Sequence, residues 1–228
     1  MYPECKLKGF LIVLKGIVMI KFKPDIAIAL IGLAFMLPVH AASFTSSLNV
    51  ISDPSIGSGS LGVVTVTQNS SNVVEFNVAL APNTAFVSTG GPHNAFTFNL
   101  DLLTPFTLTF VNPTDGTFVY SGGPATNTPY GSFSNAIDCP LCGPGASNAY
   151  SGVLDFTITE TGGINLNNII TNSLGYYFSA DVIGPSGGTG NIASNNMSPV
   201  PEPRSYAMLL AGLALIGFTA RRRKNLTM

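Results

Sequence analysis

The sequence predicts an all-β fold: a single antiparallel β-sandwich or jelly-roll-like domain, flanked by an N-terminal signal helix and a C-terminal transmembrane helix. Short runs alternate large apolar side chains with polar ones, which is the period-two pattern of strands with one buried face. Gly, Ser, Thr, Asn and Pro separate these runs, as turn residues do between short strands. Longer apolar runs with basic residues nearby occur only towards the two ends of the 228-residue chain.

The N-terminal residues 1–41 are predicted to form a signal peptide. A short basic segment at residues 19–23 is followed by an apolar stretch at 26–39, which is the order of a secretory signal. Val39 and Ala41 have compact side chains, and the predicted cleavage lies between Ala41 and Ala42. Translation from Met19 would give a conventional signal, so Met19 is the predicted start. A retained membrane anchor is the alternative.

The body, residues 42–185, is predicted to be one β-sandwich domain. The predicted strands are residues 61–67, 74–80, 96–102, 106–110, 116–121, 131–137, 154–158 and 175–182. Residues 48–51 are a candidate edge strand, and residues 166–171 are a candidate helix. Residues 186–199 are rich in Gly, Asn, Ser and Pro, and we expect them to form a flexible linker.

The body has an unusual charge distribution. Residues 42–199 contain no Lys or Arg but eight acidic side chains, so their formal charge is near −8. A body of that sign repels phosphate backbones, and the sequence therefore predicts no nucleic-acid partner. Bound cations or a sugar surface are easier partners.

The C-terminal tail has three parts in a fixed order. Val200, Pro201, Glu202 and Pro203 come first, an apolar segment at 205–220 follows Arg204, and Arg221, Arg222, Arg223 and Lys224 form a basic stop. As a helix, the apolar segment would reach about 24 Å, short of the ~30 Å hydrocarbon core, and the flanking arginines can make up much of the difference. The basic stop favours a cytoplasmic end, which leaves the acidic body on the far side of the membrane.

This tail resembles the PEP-CTERM sorting signal of Gram-negative bacteria, whose processing is attributed to membrane proteases called exosortases. The resemblance covers residues 200–228, with Val200–Pro203 as the sorting motif and 205–220 as the transmembrane helix. It implies an inner-membrane precursor that signal peptidase and an exosortase-type protease process. It also implies that the body then goes to the cell surface or the exterior, commonly in species that make exopolysaccharide. A plain single-pass anchor is the alternative.

Cys139 and Cys142 form the one cysteine pair of the body. Export to an oxidising compartment favours a disulfide between them. Redox chemistry, metal binding and free thiols are the alternatives. A redox pair usually lies at a helix N-terminus, whereas here Gly143 and Pro144 follow.

Little else in the body points to catalysis, and we predict no catalytic residue, no metal site and no cofactor. His93 is the only histidine of the body and lies in a Gly- and Pro-containing loop, where we expect a surface residue. Two carboxylates in one cleft would suffice for glycoside hydrolysis. However, Asp101, Asp155 and Asp181 fall on outward positions of predicted strands, where solvation is expected.

Three hypotheses for function follow. The first is a structural or interaction protein of the cell surface or the extracellular polysaccharide matrix. The second is a carbohydrate-binding module, which would use exposed tyrosines among Tyr120, Tyr130, Tyr150, Tyr176 and Tyr177. The third is a secreted glycan hydrolase, which needs two carboxylates about 5 to 9.5 Å apart.

Overall fold

The computed structural model describes residues 42–143, 146–200 and 212–213. The predicted signal peptide with its Met19 start, most of the predicted membrane helix at 205–220 and the basic stop lie outside these residues. Gly212 and Leu213 have helical backbone. Within the described ranges, we find no helix with the length and apolar character needed to cross a membrane.

The described residues of the body form fifteen strands and two short 3-10 helices. The strands are β1 (Ser43–Ser47), β2 (Val50–Ile51), β3 (Gly62–Ser70), β4 (Val73–Leu80), β5 (Ala85–Phe86), β6 (Phe96–Phe98), β7 (Phe106–Asn112), β8 (Val119–Gly122), β9 (Ala125–Thr126), β10 (Ser132–Phe133), β11 (Asn135–Asp138), β12 (Leu154–Glu160), β13 (Phe178–Ile183), β14 (Thr189–Ser194) and β15 (Ser198–Pro199). The 3-10 helices are Pro140–Cys142 and Leu166–Asn168.

The strands form two large sheets in which every pairing is antiparallel. The six-stranded sheet has the order β15-β1-β3-β4-β12-β7. The seven-stranded sheet has the order β2-β14-β13-β6-β11-β8, and β5 also pairs with β13. A separate two-stranded ribbon joins β9 and β10. The prediction of an all-β, antiparallel fold is confirmed.

Period-two alternation builds the inner face of each sheet. In β12, Leu154, Phe156 and Ile158 are buried, whereas Asp155 and Thr157 are partly exposed on the opposite face. The same strand lies between β4 and β7, so Phe156 and Ile158 each have cross-strand neighbours on both sides.

The inner faces of the two sheets share one core of phenylalanine rings. Phe76 of the six-stranded sheet lies 5.4 Å from Phe98 of the seven-stranded sheet, measured between ring centroids. Phe76 also stacks on Phe156 at 4.8 Å, and Phe98 lies 5.5 Å from Phe156. Each fully buried Phe contributes about 1.5 to 3 kcal/mol through the hydrophobic effect. Contact between the two inner faces gives the arrangement of a β-sandwich.

The outer face of the seven-stranded sheet is covered over β13, which corrects one expectation. Five of the six residues of β13 are buried, and Asp181 has no exposed surface, although alternation placed it on a solvated face. Loop 87–94 lies over it: the Val87 amide donates to the Asp181 carbonyl at 3.1 Å, and Thr89 donates to the Asp181 carboxylate. Alternation predicts the side of the sheet, but it cannot predict a covering loop.

The region predicted as a flexible linker, 186–199, contains two strands instead. Strand β14 pairs with β13 over six residues, and its last four residues are buried. Its small side chains weakened the strand signal in the sequence. The close approach before β14 requires a glycine at position 184, because a Cβ there would lie 1.9 Å from the Ile56 carbonyl oxygen.

Other differences are smaller. The candidate helix at 166–171 is the short 3-10 helix Leu166–Asn168, which the Asn165 side chain caps. The strand predicted at 96–102 ends at Phe98, and Leu100 makes only an isolated bridge to Ile169. The candidate edge strand at 48–51 contains β2, which lies at one edge of the seven-stranded sheet, as expected.

Candidate functional site

The two ends of the body meet at one edge of the six-stranded sheet. Strand β1 pairs with β3 on one side and with β15 on the other. In the β1–β15 ladder, Thr45 is the register partner of Ser198, and the Val200 amide donates to the Ser43 carbonyl at 3.0 Å. Just before β1, the Ala42 carbonyl accepts a hydrogen bond from the Gln68 amide at 2.8 Å. Ala42, which follows the predicted signal cleavage site, and Val200, which begins the sorting motif, therefore lie at the same sheet edge.

The final strand is attached mainly through its backbone. Ser198, Pro199 and Val200 are exposed, and Val200 retains 38% of its accessible surface. The Ser46 hydroxyl also donates to the Asn196 carbonyl. Pro199 has no N–H to donate, and such a residue is tolerated in an edge strand. The other residues of the sorting motif, Pro201, Glu202 and Pro203, lie outside the described residues.

A second candidate region is the buried polar cluster beneath loop 87–94. One carboxylate oxygen of Asp181, Oδ2, accepts hydrogen bonds from the Thr89 amide at 2.8 Å and from the Thr89 hydroxyl at 2.7 Å. Burial raises the pKa of the Asp181 carboxyl, while the Thr89 hydrogen bonds and the nearby His93 oppose the shift. Among the residues that the structure describes, the carboxyl has no Lys or Arg partner, because residues 42–199 contain neither.

His93 belongs to the same cluster and is partly buried, where a surface residue was expected. Its Nδ1 lies 2.7 Å from Nδ2 of Asn191, which also donates to the Thr128 carbonyl at 2.7 Å. Asn191 is the cross-strand partner of Asp181. Oδ1 of Asp181 and Oδ1 of Asn191 are both buried, and neither has a hydrogen-bond partner within the described part of the chain. The cluster connects two covering loops to the sheet, and Nδ1 of His93 faces the side chain of Asn191.

The outward side chains of β3, β4, β12 and β7 are partly exposed or exposed, and many of them are polar. One row across this face of the six-stranded sheet consists of Thr67, Glu75, Thr157 and Thr109, which are successive register partners. Beside this row, Asn77 donates to Asp155 at 2.5 Å. Burial raises the pKa of Asp155, the Asn77 hydrogen bond opposes this, and the Glu75 charge adds to it. The prediction of a partly solvated Asp155 agrees with the structure.

Two carboxylates, Glu160 and Asp101, line one pocket, and the surroundings of Glu160 bear on the hydrolase hypothesis. Glu160 is 2% exposed, and it accepts hydrogen bonds from the Thr104 hydroxyl and, at 2.9 Å, from the Gly162 amide. These bonds lower the pKa of Glu160, whereas a general acid needs a raised pKa. Asp101 borders the same shallow pocket of about 270 Å³. Across the described part of the chain, no group of three or more His, Cys, Asp or Glu side chains is arranged to hold a metal.

Cys139 and Cys142 form a disulfide in the structure. Their Cα atoms are 5.3 Å apart, and both residues are buried, at 2% and 0% exposure. The 3-10 helix Pro140–Cys142 closes the loop between them and leaves Leu141 57% exposed. This bond agrees with the predicted disulfide. Bonded cysteines have no thiolate with which to bind a metal.

The body tyrosines are dispersed and do not line one sheet face. Tyr130 is 3% exposed, donates to the Val50 carbonyl at 2.9 Å and packs against Tyr176, with ring centroids 4.9 Å apart. Tyr150 packs against Phe118 at 5.2 Å. Of the five body tyrosines, Tyr120 is the most accessible, with 39% of its surface exposed.

Tyr120 lines a groove between β7 and β8, which are the last strands of their respective sheets. Its ring lies 5.8 Å from Phe106, and its hydroxyl donates to Oδ1 of Asn135 at 2.7 Å. The groove has a volume of about 360 Å³ and is lined by Leu100, Leu102, Thr104, Pro105, Phe106, Tyr120, Ser134 and Asn135. Apolar rings and aliphatic groups thus lie beside hydroxyl and amide groups, with no charged side chain in the lining.

Comparison with known proteins bears on the tail of the chain. The tail places this chain in the class of exported proteins that are processed at the membrane. Residues 199–224 match the family model described as the PEP-CTERM protein-sorting motif. The predicted sorting signal is therefore confirmed, and it indicates processing that involves an exosortase. No significant match was found among curated proteins or among solved structures.

The pairing of residues 198–200 with strand β1 could not be predicted from the sequence. Strand β1, with the sequence SFTSS, has one large apolar residue, and β15 has two residues. Such short strands have almost no period-two signal. The single large apolar residue of β1, Phe44, which is buried in the structure, was the one sign that the sequence offered.

Proposed function

We propose that this chain is an exported, non-enzymatic structural or interaction protein of the cell surface or the extracellular polysaccharide matrix. The observation that carries the proposal is the PEP-CTERM match at residues 199–224. Signal peptidase removes the N-terminal segment after Ala41. An exosortase-type protease then cuts the inner-membrane precursor at the sorting motif, and the body reaches its final location without the basic stop.

The charge of the body limits the polysaccharide it can contact. Residues 42–199 contain eight acidic side chains and no Lys or Arg. Glycans rich in carboxylate or sulfate are repelled unless cations bridge the two surfaces. We therefore propose a neutral polysaccharide as the partner in the matrix.

Trypsin digestion followed by mass spectrometry tests the processing. Trypsin cuts after Lys and Arg, and no such residue lies between Lys23 and Arg204. The body therefore remains one large peptide, and its mass gives both ends. We expect it to begin at Ala42 and to end upstream of Arg204 in mature protein. A peptide that begins before Met36, or that ends at Arg204 in surface material, contradicts the proposal.

Replacing Pro201, Glu202 and Pro203 by Ala tests the sorting motif. We expect membrane insertion to persist because residues 205–220 and the basic stop are unchanged. Conversion should stop, and an anchored precursor should accumulate. Release at the wild-type rate and size would instead support a plain anchor with incidental proteolysis.

A carbohydrate-binding module is the second candidate, and the groove beside Tyr120 favours it. Its exposed aromatic ring next to amide and hydroxyl groups suits the apolar face and the hydroxyl edge of a sugar. Affinity electrophoresis can compare gels that contain dextran, a neutral glucan, with gels that contain the acidic alginate. We expect retardation by dextran alone and its loss in Tyr120→Ala. Val119→Ala is the matched control, because Val119 is equally exposed in the same strand but does not line the groove.

A further inference from the structure

We propose that pairing of Ser198–Val200 with β1 controls access to the sorting motif, and that this pairing must open before the tail is cut. The proposal goes beyond the matrix role, because it concerns how the folded body regulates its own processing.

The matched sorting motif begins inside the ladder. The match covers residues 199–224, and Pro199 and Val200 are both held against β1. Each backbone amide has a single N–H, and that of Val200 donates to the Ser43 carbonyl. An enzyme that binds an extended substrate through its main chain, as in strand addition, would compete with β1 for this donor.

The chain beyond the ladder is short. Residues 201–204 alone separate Val200 from the predicted membrane segment at 205–220. Four extended residues span at most about 14 Å. If residues 205–220 span the membrane as predicted, the closed ladder keeps Val200 within about 14 Å of the membrane segment, which leaves little room for a protease around the motif.

Opening the ladder would be easy and would stop at a defined point. Asn195, Asn196 and residues 198–200 are exposed, and Met197 alone packs against the core. By contrast, residues 191–194 of β14 are buried and paired with β13. Peeling therefore ends at Ser194, and it adds six residues, or about 20 Å of extended chain, to the tether.

A reversible lock tests the proposal directly. Thr45 and Ser198 are register partners, so cysteines at both positions lie opposite each other across the ladder. In full-length precursor carrying Thr45→Cys and Ser198→Cys, we expect oxidation to slow conversion at least about fivefold. Even the net contribution of a single hydrogen bond to the closed ladder would lower the open fraction by about that factor. A reductant should restore the rate. The two single-cysteine variants are the controls, and equal conversion of the locked and reduced forms overturns the proposal.

A proline at position 198 tests the opposite direction. Because hydrogen-bonded positions alternate in an antiparallel ladder, the Ser198 N–H faces β1 as that of Val200 does. Ser198→Pro removes this donor, whereas Ser198→Ala keeps it. We expect Ser198→Pro to convert up to about fivefold faster than Ser198→Ala, with an unchanged unfolding temperature of the body. An equal or slower conversion would mean that the ladder does not restrict access.

The alanine variant of residues 201–203 separates the two ideas. If that variant is converted like the wild type, the sorting proposal fails whatever the ladder does. If it is blocked while the lock has no effect, the sorting proposal stands and the control by β1 fails.

Discussion

The outer faces of the two sheets have the same kind of sequence but different surroundings. Asp155 in β12 and Asp181 in β13 both occupy outward positions of an alternating strand. Asp155 is partly exposed on an open face, whereas Asp181 is fully buried beneath loop 87–94. Asn77 on the open face and Asn127 in the loop between β9 and β10 differ in the same way, because Asn77 is partly exposed and Asn127 has no exposed surface.

The difference shows that polar outward residues have two separate roles in this protein. On the open face they keep the sheet hydrated and contribute little to stability. Under the loops they hold the cover in place through hydrogen bonds in a medium of low dielectric constant, where each lost bond is more harmful. Side chains on the open face are thus free to contact another molecule, whereas those of the covered face hold the loops in place.

The largest expected effect comes from Asn127→Ala. Asn127 accepts hydrogen bonds from the Asn94 amide at 2.6 Å and side chain at 3.2 Å, and donates to the Asn94 carbonyl at 3.1 Å. Its loss leaves several buried groups unpaired, so we expect the free energy of unfolding to fall by about 3 kcal/mol. Asn77→Ala on the open face should change it by less than about 1 kcal/mol. Urea denaturation measures both, and similar losses would remove the distinction between the faces.

An intermediate effect is expected from Asp181→Asn, and it should depend on pH. Because burial raises the pKa of Asp181 in the folded state, the folded protein holds this proton more tightly than the unfolded chain does. Wild-type stability from this group is therefore greatest below the ordinary aspartate pKa of 3.8 and falls as pH rises through the folded-state pKa. The asparagine cannot ionise, so the stability of Asp181→Asn relative to wild type should rise with pH above about 4.

Urea midpoints at a series of pH values measure this effect. Asp155→Asn is the control, and its change with pH should be smaller because Asp155 is partly solvated. A relative stability of Asp181→Asn that does not vary with pH would show that the Asp181 carboxyl is not destabilised by its burial.

The smallest effect is expected from Tyr130→Phe. The Tyr130 hydroxyl donates to the Val50 carbonyl at 2.9 Å in the covered region, and its loss should lower the free energy of unfolding by about 1 kcal/mol. Tyr120→Phe removes the hydrogen bond from the Tyr120 hydroxyl to Asn135. Because Tyr120 is 39% exposed, water can replace this bond, and we expect the free energy of unfolding to fall by less than about 0.5 kcal/mol. Thermal unfolding of the two variants compares them. A larger loss for Tyr120→Phe would reverse the assignment of the two regions.

Features that depend only on residues close together in the sequence could be predicted from it. The C-terminal tail is recognised by the order of its parts, which are the sorting motif at Val200–Pro203, the apolar segment and the basic stop. The Cys139–Cys142 disulfide joins two residues that are only three positions apart in the sequence. In strands such as β4 and β12, the alternation of apolar and polar residues shows which side chains face the core. Local spacing is sufficient in each case because both partners lie within a few residues.

Features made by distant residues were decided by the tertiary structure. Thr89 and Asp181, which bond under the covering loop, are 92 residues apart, and nothing near Asp181 in the sequence indicates that cover. Ser43 and Val200 meet because β1 forms the edge on which β15 pairs, although composition predicted a linker there. A short polar segment gains its conformation from the edge it joins, since backbone hydrogen bonds need no particular side chains.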